Sequence, residues 1–229
     1  MNILTTIKNI FSKPKPIVSI DYTSYVIRRQ KENEEDAKLF IDKYGNDFTV
    51  LFYRQNFDIF IRKEILPFRT RYSYKNNVLA NSHWEVKHPF NFPGPFYTGE
   101  SDTCGTGEPE APYNVMQDEN AKEFIFRQPK TFAELLGVID AADVEFFESY
   151  SCDGNKFWTY PKCKEWWKNR FDFIAEMNKT ETKEVTGESI NLFENYLKSE
   201  AEKDLKRYCY FLENGSYPNV EITALPQLD

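Results

Sequence analysis

Cys104 lies in Asp102-Thr-Cys-Gly-Thr-Gly107, a glycine-punctuated run that could present a thiolate to solvent. A cysteine nucleophile needs a base within hydrogen-bond reach, and the chain has two histidines, His83 and His88. An enzyme reading follows, with its active site on the loop at 94–113: Cys104 or Asp102 central, His83 or His88 assisting. Electrostatics oppose the thiol version. Glu100, Asp102, Glu108 and Glu110 crowd the loop, and negative charge raises a thiol pKa. The same carboxylates would repel phosphate. Gly105-Thr-Gly107 also lacks the strand-before, helix-after setting of a phosphate loop, so Gly99, Gly105 and Gly107 read as turn residues with positive φ. Metal binding would need Cys104, Cys152, Cys163 and the histidines to converge from separate segments, with no close cysteine pair among them. Neither a metal nor another cofactor is expected. Asp153-Gly-Asn155 matches a fragment of a calcium loop, but the other positions and the closing Glu do not match, so it reads as an Asx turn.

Positioning these residues falls to a stretch that can be neither helix nor ordinary strand. Residues 89–118 hold five of the twelve prolines and four of the nine glycines. Structureless runs of this length inside a compact domain are usually functional or disordered. Phe90, Phe92, Phe96, Tyr97, Tyr113 and Val115 are too apolar for a solvated linker, so an ordered loop is expected. Before it, Ile3, Ile7, Ile10 and Phe11 have helical spacing, Ile17 to Ile27 suggests a strand, and 31–44 suggests an acid-fronted helix stopped by Gly45. The aromatic and β-branched runs 48–53, 57–62 and 68–74 read as strands. Arg54, Arg62, Arg69 and Arg71 interleave with their aromatics. In strands that pattern means one wet and one buried face rather than a nucleic-acid platform. After the loop, 123–127 reads as a strand, and Thr131-Phe-Ala-Glu134 is a capping box opening a helix to about Ala142. A helix from Pro161 to about Met177 would bury Trp166, Trp167, Phe171 and Phe173 on at least one face. A last helix, about Ser189 to Glu213, carries the stripe Ile190, Phe193, Leu197, Ala201, Leu205, Tyr208 and Leu212, closed by Asn214-Gly215. The expected fold is α+β: an antiparallel sheet mainly from the first 130 residues, packed against C-terminal helices, with a long ordered Pro/Gly-rich loop. One domain over 1–229 is expected, with 1–76 as its only candidate subdomain.

Charge narrows the partners. Net charge is −7, and it is uneven: residues 1–76 hold fourteen Lys/Arg against nine Asp/Glu, while 77–229 hold fifteen against twenty-seven. That acidic majority argues against nucleic acid and favours a basic partner. No stretch approaches the roughly 18 consecutive apolar residues of a membrane helix. The N-terminus lacks the basic start, apolar core and cleavage site of a secretory signal. With four scattered cysteines, this points to free thiols and a cytoplasmic location.

The string Phe92-Pro-Gly-Pro-Phe-Tyr-Thr-Gly-x-x-Asp102-Thr-Cys-Gly-Thr-Gly-x-x-x-Ala111-Pro-x-Asn114 carries a resemblance. Phe126-Arg-Gln-Pro129 and Cys152-Asp-Gly-Asn155 with Trp158 share it. Together, over roughly residues 84–159, they resemble a group of uncharacterised bacterial cytoplasmic proteins sometimes labelled ferredoxin. The label has no support here, since an iron–sulfur cluster needs four cysteines and this segment has Cys104 and Cys152. Such proteins resemble the immunity partners of polymorphic or type VI secreted toxins. The resemblance implies a cytoplasmic protein that neutralises a cognate toxin by occluding its active site, with no catalytic residues. The expected contact surface is Tyr97, Glu100, Asp102, Glu108, Glu110, Asp153, Asn155 and Trp158, acidic and aromatic, facing a toxin with a basic surface. A third reading gives the loop a structural role, pinning sheet to helices through its buried aromatics.

Overall fold

A computed structural model describes residues 22–69, 73–75, 77–179, 189–218 and 224–228. Among the described residues helices dominate, and the sheet content is minor: two antiparallel two-stranded sheets. The chain runs through α1 (Tyr22–Tyr44), α2 (Phe48–Phe52) and α3 (Phe57–Phe60). A π-helical turn (Ile61–Ile65) leads into α4 (Leu66–Phe68). The Pro/Gly-rich segment contributes β1 (Tyr97–Thr98), α5 (Gly107–Glu110) and β2 (Val115–Gln117), followed by β3 (Glu123–Ile125). Then come α6 (Phe132–Val144), β4 (Tyr150–Ser151), α7 (Tyr160–Lys168), α8 (Arg170–Met177), α9 (Ile190–Ser199) and α10 (Ala201–Asn214).

The expected sheet in the first third is a correction. Residues 48–52 and 57–62 are helical, as is 66–68, and Tyr22 to Ile27 belongs to α1 rather than to a strand. Aromatic and β-branched composition suggested strands, but burial follows the helical spacing. Phe48, Leu51 and Phe52 point inward, then Phe57, Phe60, Ile61 and Ile65, with Val50 and Ile59 left exposed. Asp47 starts α2 by accepting from the Thr49 amide at 3.0 Å and the Val50 amide at 3.3 Å. The full length of α1 was hidden because its buried face includes Arg29, Asn33 and Asp36. The expected helix at 3–11, residues 17–21 and residues 70–72 lie outside the described residues.

The helices of the last hundred residues match expectation more closely. Thr131 Oγ1 caps α6, accepting from the Glu134 amide at 3.1 Å, and Glu134 accepts from the Lys130 amide at 2.9 Å. The expected stripe from Ile190 to Tyr208 is buried, although the helix breaks at Glu200 into α9 and α10. Gly215 ends it with φ of +72°. The helix after Pro161 likewise divides, at Asn169, and Phe171 is exposed rather than buried.

Two hydrophobic cores flank a central irregular layer. One gathers Phe40, Phe52, Phe57, Ile61, Leu136 and Ile139 from α1–α3, the π turn and α6. The other gathers Trp166, Phe193, Leu205, Tyr208 and Phe211 from α7, α9 and α10. The hairpin β2–β3 pairs Val115 with Ile125 and Met116 with Phe124. Its alternate side chains feed opposite sides: Val115 and Ile125 join the first core, Met116, Phe124 and Phe126 the second. The Pro/Gly-rich segment does the same, with Phe90 and Phe92 in the second core and Phe96 in the first. Strand β1 pairs with β4, placing Tyr97 opposite Ser151. The expected sheet against C-terminal helices is thus a small layer with helices on both sides.

Candidate functional site

The Pro/Gly-rich segment forms few ladder hydrogen bonds, so buried polar side chains satisfy its backbone instead. Asn91 Oδ1 accepts from the Thr98 amide at 3.1 Å and the Ile125 amide at 2.8 Å. Gln128 Nε2 donates to the Phe92 and Phe96 carbonyls at 2.9 and 2.8 Å, while its Oε1 accepts from the Phe96 amide at 3.1 Å. Three carboxylates do similar work near Cys104. Glu123 accepts from the Gly107 amide and from the Tyr150 hydroxyl, each at 2.7 Å. A Cβ on Gly107 would sit 2.4 Å from that hydroxyl, so close approach rather than positive φ requires this glycine. Glu145 accepts from the Asp102 and Ser149 amides at 2.8 Å, and Asp102 accepts from the Cys104 amide at 2.8 Å and the Phe146 amide at 3.0 Å.

This arrangement sets the local acid–base chemistry. Burial pushes the Glu123 carboxyl up to about 7, helped by the negative Asp102 and Glu145. Asp102 pushes the exposed Cys104 thiol above its ordinary range. The hydrogen bonds of the histidines run elsewhere. His83 Nδ1 lies 3.0 Å from Ser151 Oγ, and His88 Nε2 lies 3.1 Å from Asp118 Oδ2. The other cysteines, Cys152, Cys163 and Cys209, are buried thiols. Among the described residues no group of three or more His, Cys, Asp or Glu is disposed to hold a metal ion, and no helix is long and apolar enough to cross a membrane.

Half of the expected contact surface is interior, which corrects the picture of an acidic face built by the loop. Tyr97, Asp102, Glu110 and Trp158 are buried, Glu108, Asp153 and Asn155 are half-buried, and Glu100 is exposed. Each buried member has a structural partner. Tyr97 donates to Asp153 Oδ1 at 2.8 Å, with burial pushing its phenol up to about 12. Glu110 accepts from Arg29 Nε at 2.6 Å and from the Tyr25 hydroxyl. Trp158 packs edge-on against Trp84. Asn155 accepts from the Tyr208 hydroxyl at 2.8 Å and donates to the Arg54 carbonyl, tying the first helical group to α10. Glu108 accepts from Ser189 Oγ at 2.6 Å, and burial raises its carboxyl. The loop and the Asp153–Asn155 turn do come together, since the Gly154 amide donates to the Pro95 carbonyl at 3.0 Å.

What the surface does present is a broad groove of about 870 Å³ beside Glu100. Glu85, Glu100, Asp118, Glu119, Asp172 and Glu176 line it, against Lys87 and Lys122, with Val86, Phe90 and Phe173 as apolar ground. Gly99 at its edge donates its amide to the Ser149 carbonyl, so the groove adjoins the 145–149 turn. That turn carries two adjacent exposed aromatics, Phe146 at 78% and Phe147 at 59%. Their rings meet edge to face at 5.7 Å. The pair is held rigidly: Asp102 grips its first amide, Glu145 the Ser149 amide beyond it, and Glu148 adopts a left-handed φ of +55° while accepting from Asn77. No element or site expected from the sequence included this pair. Its signal was adjacent aromatics between two acids directly after a helix end. Comparison of the chain with family models, curated proteins and solved structures returns no match.

Proposed function

We propose that the protein is an immunity-type inhibitor that binds and neutralises a cognate bacterial toxin through an acidic, aromatic surface, acting in the cytoplasm. The observation carrying this reading is the exposed Phe146–Phe147 pair on a turn hydrogen-bonded, through Ser149, to Gly99 at the rim of a groove with six carboxylates. Exposed aromatics on a preorganised turn are the usual anchors of a protein interface, and surrounding like charges steer an oppositely charged partner. The toxin surface would be basic and would offer an apolar pocket to the two rings. Membrane and nucleic acid are not its partners in this reading. The contact residues move from the buried loop to Phe146, Phe147, Glu100 and the groove acids.

The test is co-expression with the product of the neighbouring toxin gene, read as growth rescue and as direct binding. Losing a central aromatic anchor costs about 2 kcal/mol or more, roughly a thirtyfold loss of affinity. Phe146→Ala with Phe147→Ala should therefore abolish protection while leaving thermal stability unchanged. Glu100→Lys with Asp172→Lys should chiefly slow association and weaken its salt dependence. Full protection by the double alanine variant, or no binding by the wild type, would refute the proposal.

A further inference from the structure

We propose that a second site, a cavity where the two hydrophobic cores meet, binds a small aromatic anion: a planar ring bearing a carboxylate or phosphate. The cavity encloses about 340 Å³, at the small end of the range for ligand pockets and enough for one ring-bearing molecule. It lies apart from the acidic groove and shares no lining residue with it.

Its walls are flat and aromatic. Tyr53, which packs against both cores, stacks on Tyr217 with ring centroids 4.5 Å apart and planes 25° off parallel. Phe48, Phe92 and Tyr196 complete the apolar lining. Surfaces of this kind favour offset or edge contacts with another ring.

The charge at the mouth decides the sign of the ligand. Lys130, Lys203 and Arg207 face Glu200 and Asp204 there. Lys130 is already committed, paired with Glu200 and with Asp204 at 2.7 Å. Tyr196 donates to Asp204 at 3.1 Å, so that carboxylate is also satisfied. Neither Lys203 nor Arg207 forms an ion pair among the described residues. Arg207 is half-buried, hydrogen-bonds the Tyr217 phenol and lies close enough to act on the Tyr53 phenol. A half-buried guanidinium in no ion pair among the described residues, hydrogen-bonded to one of two stacked tyrosines, is the arrangement an anionic ring would complete. Gln128 lines the cavity too, but its amide is spent on the Phe92 and Phe96 backbone and leaves recognition to the rings and cations.

The experiment titrates the full chain by calorimetry with 4-hydroxybenzoate and adenosine 5′-monophosphate. Neutral adenosine and ring-free ribose 5-phosphate serve as controls. At least one aromatic anion should saturate with a Kd at or below about 1 mM. Both controls should bind at least about tenfold more weakly. Which anion binds distinguishes carboxylate from phosphate. Arg207→Gln and Lys203→Glu, at half-buried and exposed positions, should each weaken binding while leaving the melting temperature and toxin protection unchanged. The proposal falls if neither anion saturates, if either control binds as tightly as the anion, or if both variants bind like wild type. Because toxin protection is read separately, failure here leaves the groove reading standing.

Discussion

Replacing Glu123 by Gln should make the protein more stable at pH 8 and change it little at pH 4. The carboxyl is fully buried and titrates near 7 in the fold, against 4.5 for a free glutamate. The folded state therefore holds its proton more tightly than the unfolded state. Its stabilising share is fully present below about pH 4.5 and is lost as pH rises through about 7. The gap of about 2.5 pH units corresponds to about 3 kcal/mol at most. An amide stays neutral throughout and removes this dependence. Its oxygen can keep the Gly107 amide, and its NH₂ can donate to Tyr150. Tyr150 must then accept where it now donates, which leaves its proton without that partner and costs about 1 kcal/mol. The net expectation is about 2 kcal/mol in favour of Glu123→Gln at pH 8, falling to zero or slightly below at pH 4. Urea unfolding of both proteins at four pH values checks it, and the difference between them cancels every other titration. A pH-independent difference, or a variant less stable than wild type at pH 8, would refute the assignment of a protonated, buried Glu123.

Other consequences follow from contacts already described. Arg69 pairs with Asp36 at 2.9 Å and Asp140 at 2.5 Å, and Arg29 pairs with Glu110 and Asp140, all buried between α1, α5 and α6. Arg69→Met removes the buried cation from Asp36 and leaves Asp140 with Arg29 alone, so denaturant unfolding should show a loss of about 3 kcal/mol. Gly154→Ala would place a Cβ 2.2 Å from the Gly94 carbonyl, forcing the backbone apart. It should cost about 1–3 kcal/mol in the same assay. Cys104 should be the single described thiol labelled by a disulfide reagent in the native state, and labelling should accelerate on the alkaline side of an ordinary cysteine. Cys152, Cys163 and Cys209 should react only after unfolding.

The legible parts of this fold were those with local signals. Thr131 and Glu134 announced the start of α6, Gly215 the end of α10, and the spacing from Ile190 to Tyr208 its buried face. The misread parts were those where tertiary burial used residue types against their usual habits. Phe48, Phe52, Phe57 and Ile61 are good strand formers, yet the four-residue spacing within each pair is helical, and Phe48, Phe52 and Phe57 pack against Phe132 and Phe96. Helix α1 buries Arg29, Asn33 and Asp36, so no hydrophobic stripe could reveal its first half. The Pro/Gly-rich segment was legible as ordered, but its acids were not legible as interior. That depends on distant partners, such as the Phe146 amide, 44 positions away, for Asp102 and Arg29, 81 positions away, for Glu110.

The chain's acidity therefore divides into two populations with different duties. Asp102, Glu110, Glu123 and Glu145 lie inside, where backbone amides, Tyr150 and Arg29 use them to hold an irregular layer between two cores. Their charge is answered internally or suppressed by protonation, so it contributes little to the field a partner meets. In the proposed inhibitor reading, the charge a toxin would meet comes from the groove around Glu85, Glu100, Asp172 and Glu176. The interior acids still bear on recognition, because Asp102 and Glu145 fix the turn that displays Phe146 and Phe147. Preorganising that turn lowers the entropy lost on binding. On the proposed reading, Asp102→Ala should weaken toxin binding in a direct binding assay through the loosened turn, because Asp102 is itself buried.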